Sequence, residues 1–220
     1  MYSNTEENYL KALFELANEN GEVSVNDLGK RLDLKMPTVN SMMKKLGNKQ
    51  LVHYQSYKPV RLTEEGKKAA AFVIRKHRLT EMFLFEKMGF GWEDVHGIAE
   101  QIEHIQSQVF FEKMDEILGY PKIDPHGSPI PDTNGKIEWP EYNKLGECKA
   151  GETVKLMAVT HQGVDFLKFL NSRDLKLGLK LKIVSVEAFD GSMVVSYNNR
   201  TAETLSHVVC DKLLVEKSET

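Results

Sequence analysis

Five of the chain's seven prolines (Pro121, Pro125, Pro129, Pro131 and Pro140) fall in one short stretch, and no other feature constrains the fold as strongly. Proline supplies no amide to a helix or an interior strand and restricts the residue before it, so no long helix or central strand can pass through this stretch. It reads as an irregular linker that divides the 220-residue chain. Ahead of it, apolar residues recur at helical spacing. Beyond Gly151, the short runs 154–159, 180–184, 193–197 and 213–215 are strand candidates for a small β-barrel. The fold class is therefore mainly α with a C-terminal β-barrel, and the expected domains are 1–72, 73–143 and 150–220.

Within the first part, Asn4 and Glu7 have the spacing of a capping box, followed by Tyr9, Leu10, Leu13, Phe14 and Ala17 at helical intervals. This predicts a first helix ending at Asn20-Gly21. Ser24 suits the N-cap of a second helix with Val25, Leu28 and Leu32 inward. Pro37 fits the first turn of a third, which buries Val39, Met42 or Met43, and Leu46 and ends near Gly47. Two short β-like runs, 51–54 and 60–62, flank 55–59 as a hairpin wing, which completes a winged helix-turn-helix. Thr63 opens a long helix towards Met88, broken by Gly89-Phe90-Gly91, and two more helices are expected over about 92–107 and 109–118.

The formal net charge of -3 hides an uneven distribution. Lys35, Lys44, Lys45 and Lys49 lie in a segment without acids, whereas 92–116 carries Glu93, Asp94, Glu100, Glu103, Glu112, Asp115 and Glu116 against Lys113. The third helix can therefore face DNA. Thr38, Asn40 and Ser41 offer base-reading groups, Lys44 and Lys45 offer phosphate-binding ones, and Lys35 and Pro37 lie at the entry. Tyr57, with Tyr54 and Lys58, lies in the wing, from which it could reach the DNA backbone. A solvated lysine face on an ordinary three-helix core is the competing reading.

His96, Glu100, Glu103 and His104 fall within an arc of roughly 100° if one helix carries them. The preceding helix adds His77 and Glu81, one turn apart. Ile98, Ile102 and Ile105 mark the packed side beside this set, and a carboxylate cluster bordering a core calls for a cation. Oxygen and imidazole ligands without cysteine favour Mn²⁺ or Fe²⁺, with Zn²⁺ able to bind in vitro. A solvated Glu/His face is again the alternative.

Together, the helix-turn-helix, the run 75–81 (Arg-Lys-His-Arg-Leu-Thr-Glu), the segment from His96 to Glu103-His104, and Asp124-Pro125-His126-Gly127-Ser128-Pro129-Ile130-Pro131 resemble the diphtheria toxin repressor and manganese transport regulator family. The β-rich tail resembles the SH3-like (FeoA-like) domain of its longer members. The resemblance implies a helical metal-binding and dimerisation domain after the winged helix, and homodimers that bind palindromic operator DNA when charged with Mn²⁺ or Fe²⁺. The resemblance further implies that the repressed genes serve metal uptake and homeostasis. Carried residue by residue, Glu100, Glu103 and His104 take primary-site positions, and His77, Glu81 and His96 ancillary ones. Gln162 and Asp165 stand near the place of a further ligand pair, with His161 adjacent. Glu100 stands where iron-type members have cysteine, which tilts the choice towards manganese. Two residues depart from the pattern: Asn8 replaces a methionine or aspartate ligand, and Lys11 replaces a glutamate of manganese-type members. These changes argue for separate primary and ancillary ions over a two-ion cluster.

Other classes are constrained as well. Cys148 and Cys210 are too few for a disulfide framework or thiolate zinc site. No apolar run approaches a membrane span, and the N-terminus has no export signal, so the cytoplasm is the expected location. A metallohydrolase would use similar Glu/His clusters, but no His-Glu-x-x-His motif or distinct nucleophile is present, and the chain is expected not to be an enzyme. A winged-helix regulator sensing a small organic molecule is the other alternative.

Overall fold

The computed structural model describes residues 2–218. The described residues cluster into two compact units. One holds the chain up to Thr80 with Gly97–Lys122 and Ile130–Glu138, and the other holds Glu81–His96, Ile123–Pro129 and the chain from Trp139.

In the first unit, α1 (Asn4–Leu16) is capped by Ser3, whose hydroxyl accepts from the Glu6 amide while the Glu6 carboxylate accepts from the Ser3 amide. The cap lies one residue earlier than the Asn4/Glu7 spacing suggested, which leaves Glu7 to turn inward, where it is buried. The helix also stops at Leu16, ahead of the expected Asn20-Gly21, because Glu22–Val23 forms a short strand, β1. β1 pairs with β3 (Val60–Leu62), which also pairs with β2 (Val52–His53), so the wing is a three-stranded sheet ordered β1-β3-β2. Ser24 caps α2 (Val25–Leu32), and Asp33 ends it in the left-handed conformation. α3 (Met36–Asn48) carries Pro37 in its first turn and buries Val39, Met43 and Leu46, which settles the choice between Met42 and Met43. These three pack with Tyr9, Leu10, Leu13, Leu28 and Val60 in one core.

α4 (Glu64–Met88) starts after Thr63, whose hydroxyl accepts from the Gly66 amide. Next come α5 (Val95–Ile102) and α6 (Gln108–Leu118), the latter closed by Gly119 at positive φ. α5 is only eight residues long, half the expected span. Consequently Glu103, His104 and Ile105 lie beyond the helix, and Ile105 is 41% exposed where the helical pattern had placed it on the packed side. No helix among the described residues is long and apolar enough to cross a membrane.

The second unit contains a six-stranded antiparallel sheet in the order β4-β9-β5-β6-β7-β8. Its strands are β4 (Asn143–Lys144), β5 (Thr153–Val159), β6 (Lys180–Val186), β7 (Met193–Tyr197), β8 (Arg200–Leu205) and β9 (Leu213–Lys217). α7 (Val164–Asn171) and α8 (His207–Cys210) complete it. Leu156, Leu167, Leu170, Ile183, Val195 and Val215 belong to its core. β8 escaped sequence reading because Arg200-Thr201-Ala202-Glu203-Thr204 is polar, as an edge strand tolerates.

The proline-rich stretch is not a simple linker, since Asp124, Pro125, His126, Gly127 and Pro129 are all buried. Asp124 Oδ1 accepts from the amides of His126 (2.8 Å) and Ser128 (2.9 Å), closing a tight turn in which prolines leave few amides to satisfy. The Val159 amide donates to the His126 carbonyl, fastening the turn to β5. Gly127 has a φ of 87°, and a Cβ there would meet the Met157 carbonyl at 2.3 Å, so only glycine allows this approach.

Candidate metal centre

Two clusters of carboxylate and imidazole groups emerge. The first lies in the second unit, where ligand atoms of Glu81, Asp124 and His126 are all within 4.8 Å of one another and all three residues are buried. His126 Nε2 lies 2.8 Å from the Trp92 carbonyl, which can only accept, so Nε2 carries the hydrogen and donates. In the neutral ring Nδ1 then bears the lone pair. It is buried without a hydrogen-bond partner, 3.7 Å from Glu81 Oε2 and 4.0 Å from Asp124 Oδ1. An imidazole whose other nitrogen is anchored on a backbone carbonyl is the arrangement that orients a metal-ligating histidine. Burial disfavours the His126 imidazolium, but Glu81 and Asp124 outweigh it and hold the ring above its ordinary value of 6.5. Two buried carboxylates and one imidazole suit a divalent ion such as Mn²⁺ or Fe²⁺. His96 Nδ1 lies 3.2 Å from Glu81 Oε1, and His77 precedes Glu81 by one turn of α4.

The second cluster lies in the first unit, around Glu103. His104 Nδ1 is 2.6 Å from Glu7 Oε2. Its Nε2 stands 3.8 Å from Glu103 Oε1. Asn8, Lys11, Glu100 and His104 line one groove, with Asn8 exposed on α1. Glu103 itself is fully buried and accepts from Lys11 Nζ at 2.9 Å on each oxygen, while His77 Nδ1 lies 2.5 Å from its Oε2. Burial pushes the Glu103 carboxyl up, but the His77 hydrogen bond and the Lys11 charge hold it below its ordinary 4.5.

The four residues expected on one helical arc therefore divide, because α5 ends at Ile102. His96 joins Glu81, whereas Glu103 and His104 turn to α1. Three participants escaped sequence reading. Glu7 has the spacing of a cap residue, and Asp124 and His126 stand in the proline-rich run, whose linker-like composition hides their ligand chemistry. The signal was present in Asp-Pro-His-Gly, where an Asx turn and a backbone-approach glycine fix two ligand-type side chains. Gln162 reaches the same turn, its Nε2 lying 3.5 Å from Ser128 Oγ, whereas Asp165 is exposed in the first turn of α7 and His161 packs edge-on against Phe166.

Lys35 at the N-cap of α3 and Pro37, Thr38, Ser41 and Lys44 on the helix are exposed. Tyr54 OH donates to Asn40 Oδ1 at 3.0 Å, which orients the Asn40 amide from the wing. Lys45 and Lys49 are exposed as well and pair with Glu6 at 3.1 and 2.6 Å. Tyr57 is fully exposed at the wing tip.

Comparison with known proteins bears directly on this arrangement. Residues 1–60 match the profile of the iron-dependent repressor N-terminal DNA-binding domain, 63–132 that of its metal-binding and dimerisation domain, and 143–217 that of the FeoA domain. A solved manganese-dependent transcriptional repressor in complex with manganese is 28% identical with a TM-score of 0.85, covering 97% of this chain and 100% of that one. The structure of ScaR with bound Zn²⁺ is 30% identical with a TM-score of 0.78, covering 97% and 99%. The iron-dependent repressor IdeR of Mycobacterium tuberculosis is 33% identical over 127 residues, which make up 58% of this chain but only 55% of that protein's length. The chain belongs to the iron-dependent repressor family.

Proposed function

We propose that this chain is a cytoplasmic, homodimeric transcriptional repressor that binds palindromic operator DNA when loaded with Mn²⁺ or Fe²⁺ and thereby controls metal-ion uptake. The single observation that carries the reading is the buried Glu81–Asp124–His126 cluster, with a lone-pair nitrogen set between two carboxylates. Two carboxylates and one imidazole gathered at one point are a donor set suited to a divalent ion. Glu81 and His96, with His77 one turn away on α4, supply further ligands, and Gln162 lies beside the Asp124 turn. Glu100, Glu103 and His104, with Asn8 in the adjoining groove, supply a second locus. The exposed face of α3 reads the operator, with Tyr57 on the flanking backbone. Support for the metal and the DNA comes from family membership and from the manganese-bound relative. The ligand clusters serve binding, not catalysis.

The division at 1–72, 73–143 and 150–220 assigns DNA reading, dimerisation with metal binding, and an SH3-like module. Taking a repressor from about 1% to 99% competent requires roughly 5.5 kcal/mol of differential metal affinity between its two states. The test selects duplexes from a random pool with Mn²⁺ present, then measures their binding with Mn²⁺, with Fe²⁺ under anaerobic conditions, and with chelator. Metal-dependent retention is expected. Equal retention with chelator would reject metal control, and a response to neither ion would reject the metal assignment.

A further inference from the structure

The family's metal chemistry and this chain's residues part company at one corner. Lys11, 5% exposed, brings its Nζ to 2.9 Å from both oxygens of Glu103, 3.4 Å from His77 Nδ1 and 3.8 Å from Glu100 Oε1. Three ligand-type side chains thus converge on one nitrogen as they would on a metal ion. We propose that the Lys11 ammonium is a resident cation at the Glu103–His77 corner, standing where a divalent ion would otherwise sit and joining α1 to α4 and the segment after α5 without metal.

The physical case rests on charge and space. Glu103 is fully buried, and a buried carboxylate needs a partner cation, which Lys11 supplies in bidentate geometry. A divalent ion bound to Glu103 and to His77 Nδ1 would need bonds of about 2.0–2.2 Å. Such a position would lie in contact with the ammonium, and two cations in contact at a buried site repel strongly. The residues at this corner therefore do not fit a divalent ion while Lys11 is charged. On the other side of Glu103, His104 Nε2 stands 3.8 Å from Oε1, so an ion held there would share that oxygen with Lys11 and leave the His77 corner to the ammonium.

A consequence is that α1 is tied to its neighbours before any metal binds, through Lys11 to Glu103 and Glu7 to His104. The number of ions per chain should also be one lower than the corner would allow with an acid at position 11. The inference refines the metal reading above, and its test separates the two.

Mn²⁺ bound per chain is counted by following the free ion with electron paramagnetic resonance, and metal-free melting is recorded, for the wild type, Lys11→Glu, Lys11→Met and Lys11→Arg. Lys11→Glu is expected to bind one ion more than the wild type. Lys11→Met should melt below the wild type without metal, and Lys11→Arg should stay close to it. If Lys11→Glu folds only when Mn²⁺ is added, that rescue counts as the gained ion. Lys11→Glu binding no more ions than the wild type, or failing to fold even with Mn²⁺ added, overturns the inference. A wild type that binds no Mn²⁺ while Lys11→Glu binds one would uphold the inference and reject the metal-sensor reading.

Discussion

His126 shows how a single tautomer sets up a site. With Nε2–H committed to the Trp92 carbonyl, only Nδ1 can ligate, and protons compete with metal for that atom. Because Glu81 and Asp124 hold the ring above 6.5, the competing proton persists to higher pH than on an ordinary histidine. Mn²⁺ affinity should therefore fall as pH is lowered from 8 to 6, approaching about tenfold per pH unit once the ring is mostly protonated. His126→Ala should weaken binding by at least about tenfold and flatten this dependence. Calorimetric titrations at pH 6, 7 and 8 test both, and a flat wild-type profile would rule out Nδ1 as a ligand. In the same turn, Gly127→Ala is expected to lower stability by more than about 1 kcal/mol, because positive φ and the Met157 carbonyl act together. Its melting temperature by calorimetry provides the check. At this scale the sequence revealed residue types better than partnerships. Glu81, His96, Glu103 and His104 were legible as ligand-type groups, but their pairing depended on where α5 ends, which periodicity does not mark. Asp124 and His126 were masked by prolines that read as linker.

Among the elements, α1 is the one on which the first unit turns. Glu6 reaches Lys45 and Lys49 of the recognition-helix segment, while its neighbour Glu7 reaches His104. Burial of Glu6 raises its pKa, but hydrogen bonds from Lys49, the Ser3 amide and Lys45 prevail and bring it from 4.5 down to about 2. A carboxylate whose folded pKa is depressed contributes stability that is complete above its unfolded pKa and disappears as pH falls through the folded one. Glu6→Gln should therefore cost about 1 kcal/mol at pH 7, a figure kept small because both lysines are half exposed, and almost nothing near pH 2. Denaturant unfolding across that range would show the two curves converging, and parallel curves would contradict the pairing. The same variant releases Lys45 and Lys49, so the slope of log affinity for operator DNA against log salt should steepen by about 1 per lysine that finds a phosphate. Element by element, the winged helix and α4 were readable because caps, a first-turn proline and apolar stripes agree locally. β1 and β8 were not, since a two-residue strand has no period and a polar edge strand resembles a loop. The six-stranded sheet matched its predicted runs at β5, β6, β7 and β9, whose buried alternation is clear.

For the whole molecule, the informative surface is the face of α6 together with part of α4. Val109 is 73% exposed, Ile117 51%, Phe110 42% and Phe72 37%, and Tyr120 just past α6 is also exposed. Exposed apolar side chains gathered on one helix mark an interaction site, and a two-fold axis would let the same face cover itself on a second copy. Dimerisation matters to DNA binding because one chain presents a single α3, whereas a palindrome offers two half-sites. Linking two readers makes the second contact intramolecular and raises affinity by about 10²–10⁴ without any new contact. The double substitution Val109→Glu and Ile117→Glu puts charge on this face without touching the α3 surface or the Glu81–Asp124–His126 cluster. Sedimentation equilibrium should then report a monomer, and operator affinity with Mn²⁺ present should fall by about 10²-fold or more. Mn²⁺ bound per chain should stay the same, because no ligand of that cluster comes from α6. That pattern separates loss of assembly from loss of metal, whereas a variant that remained dimeric would place the interface elsewhere on the molecule.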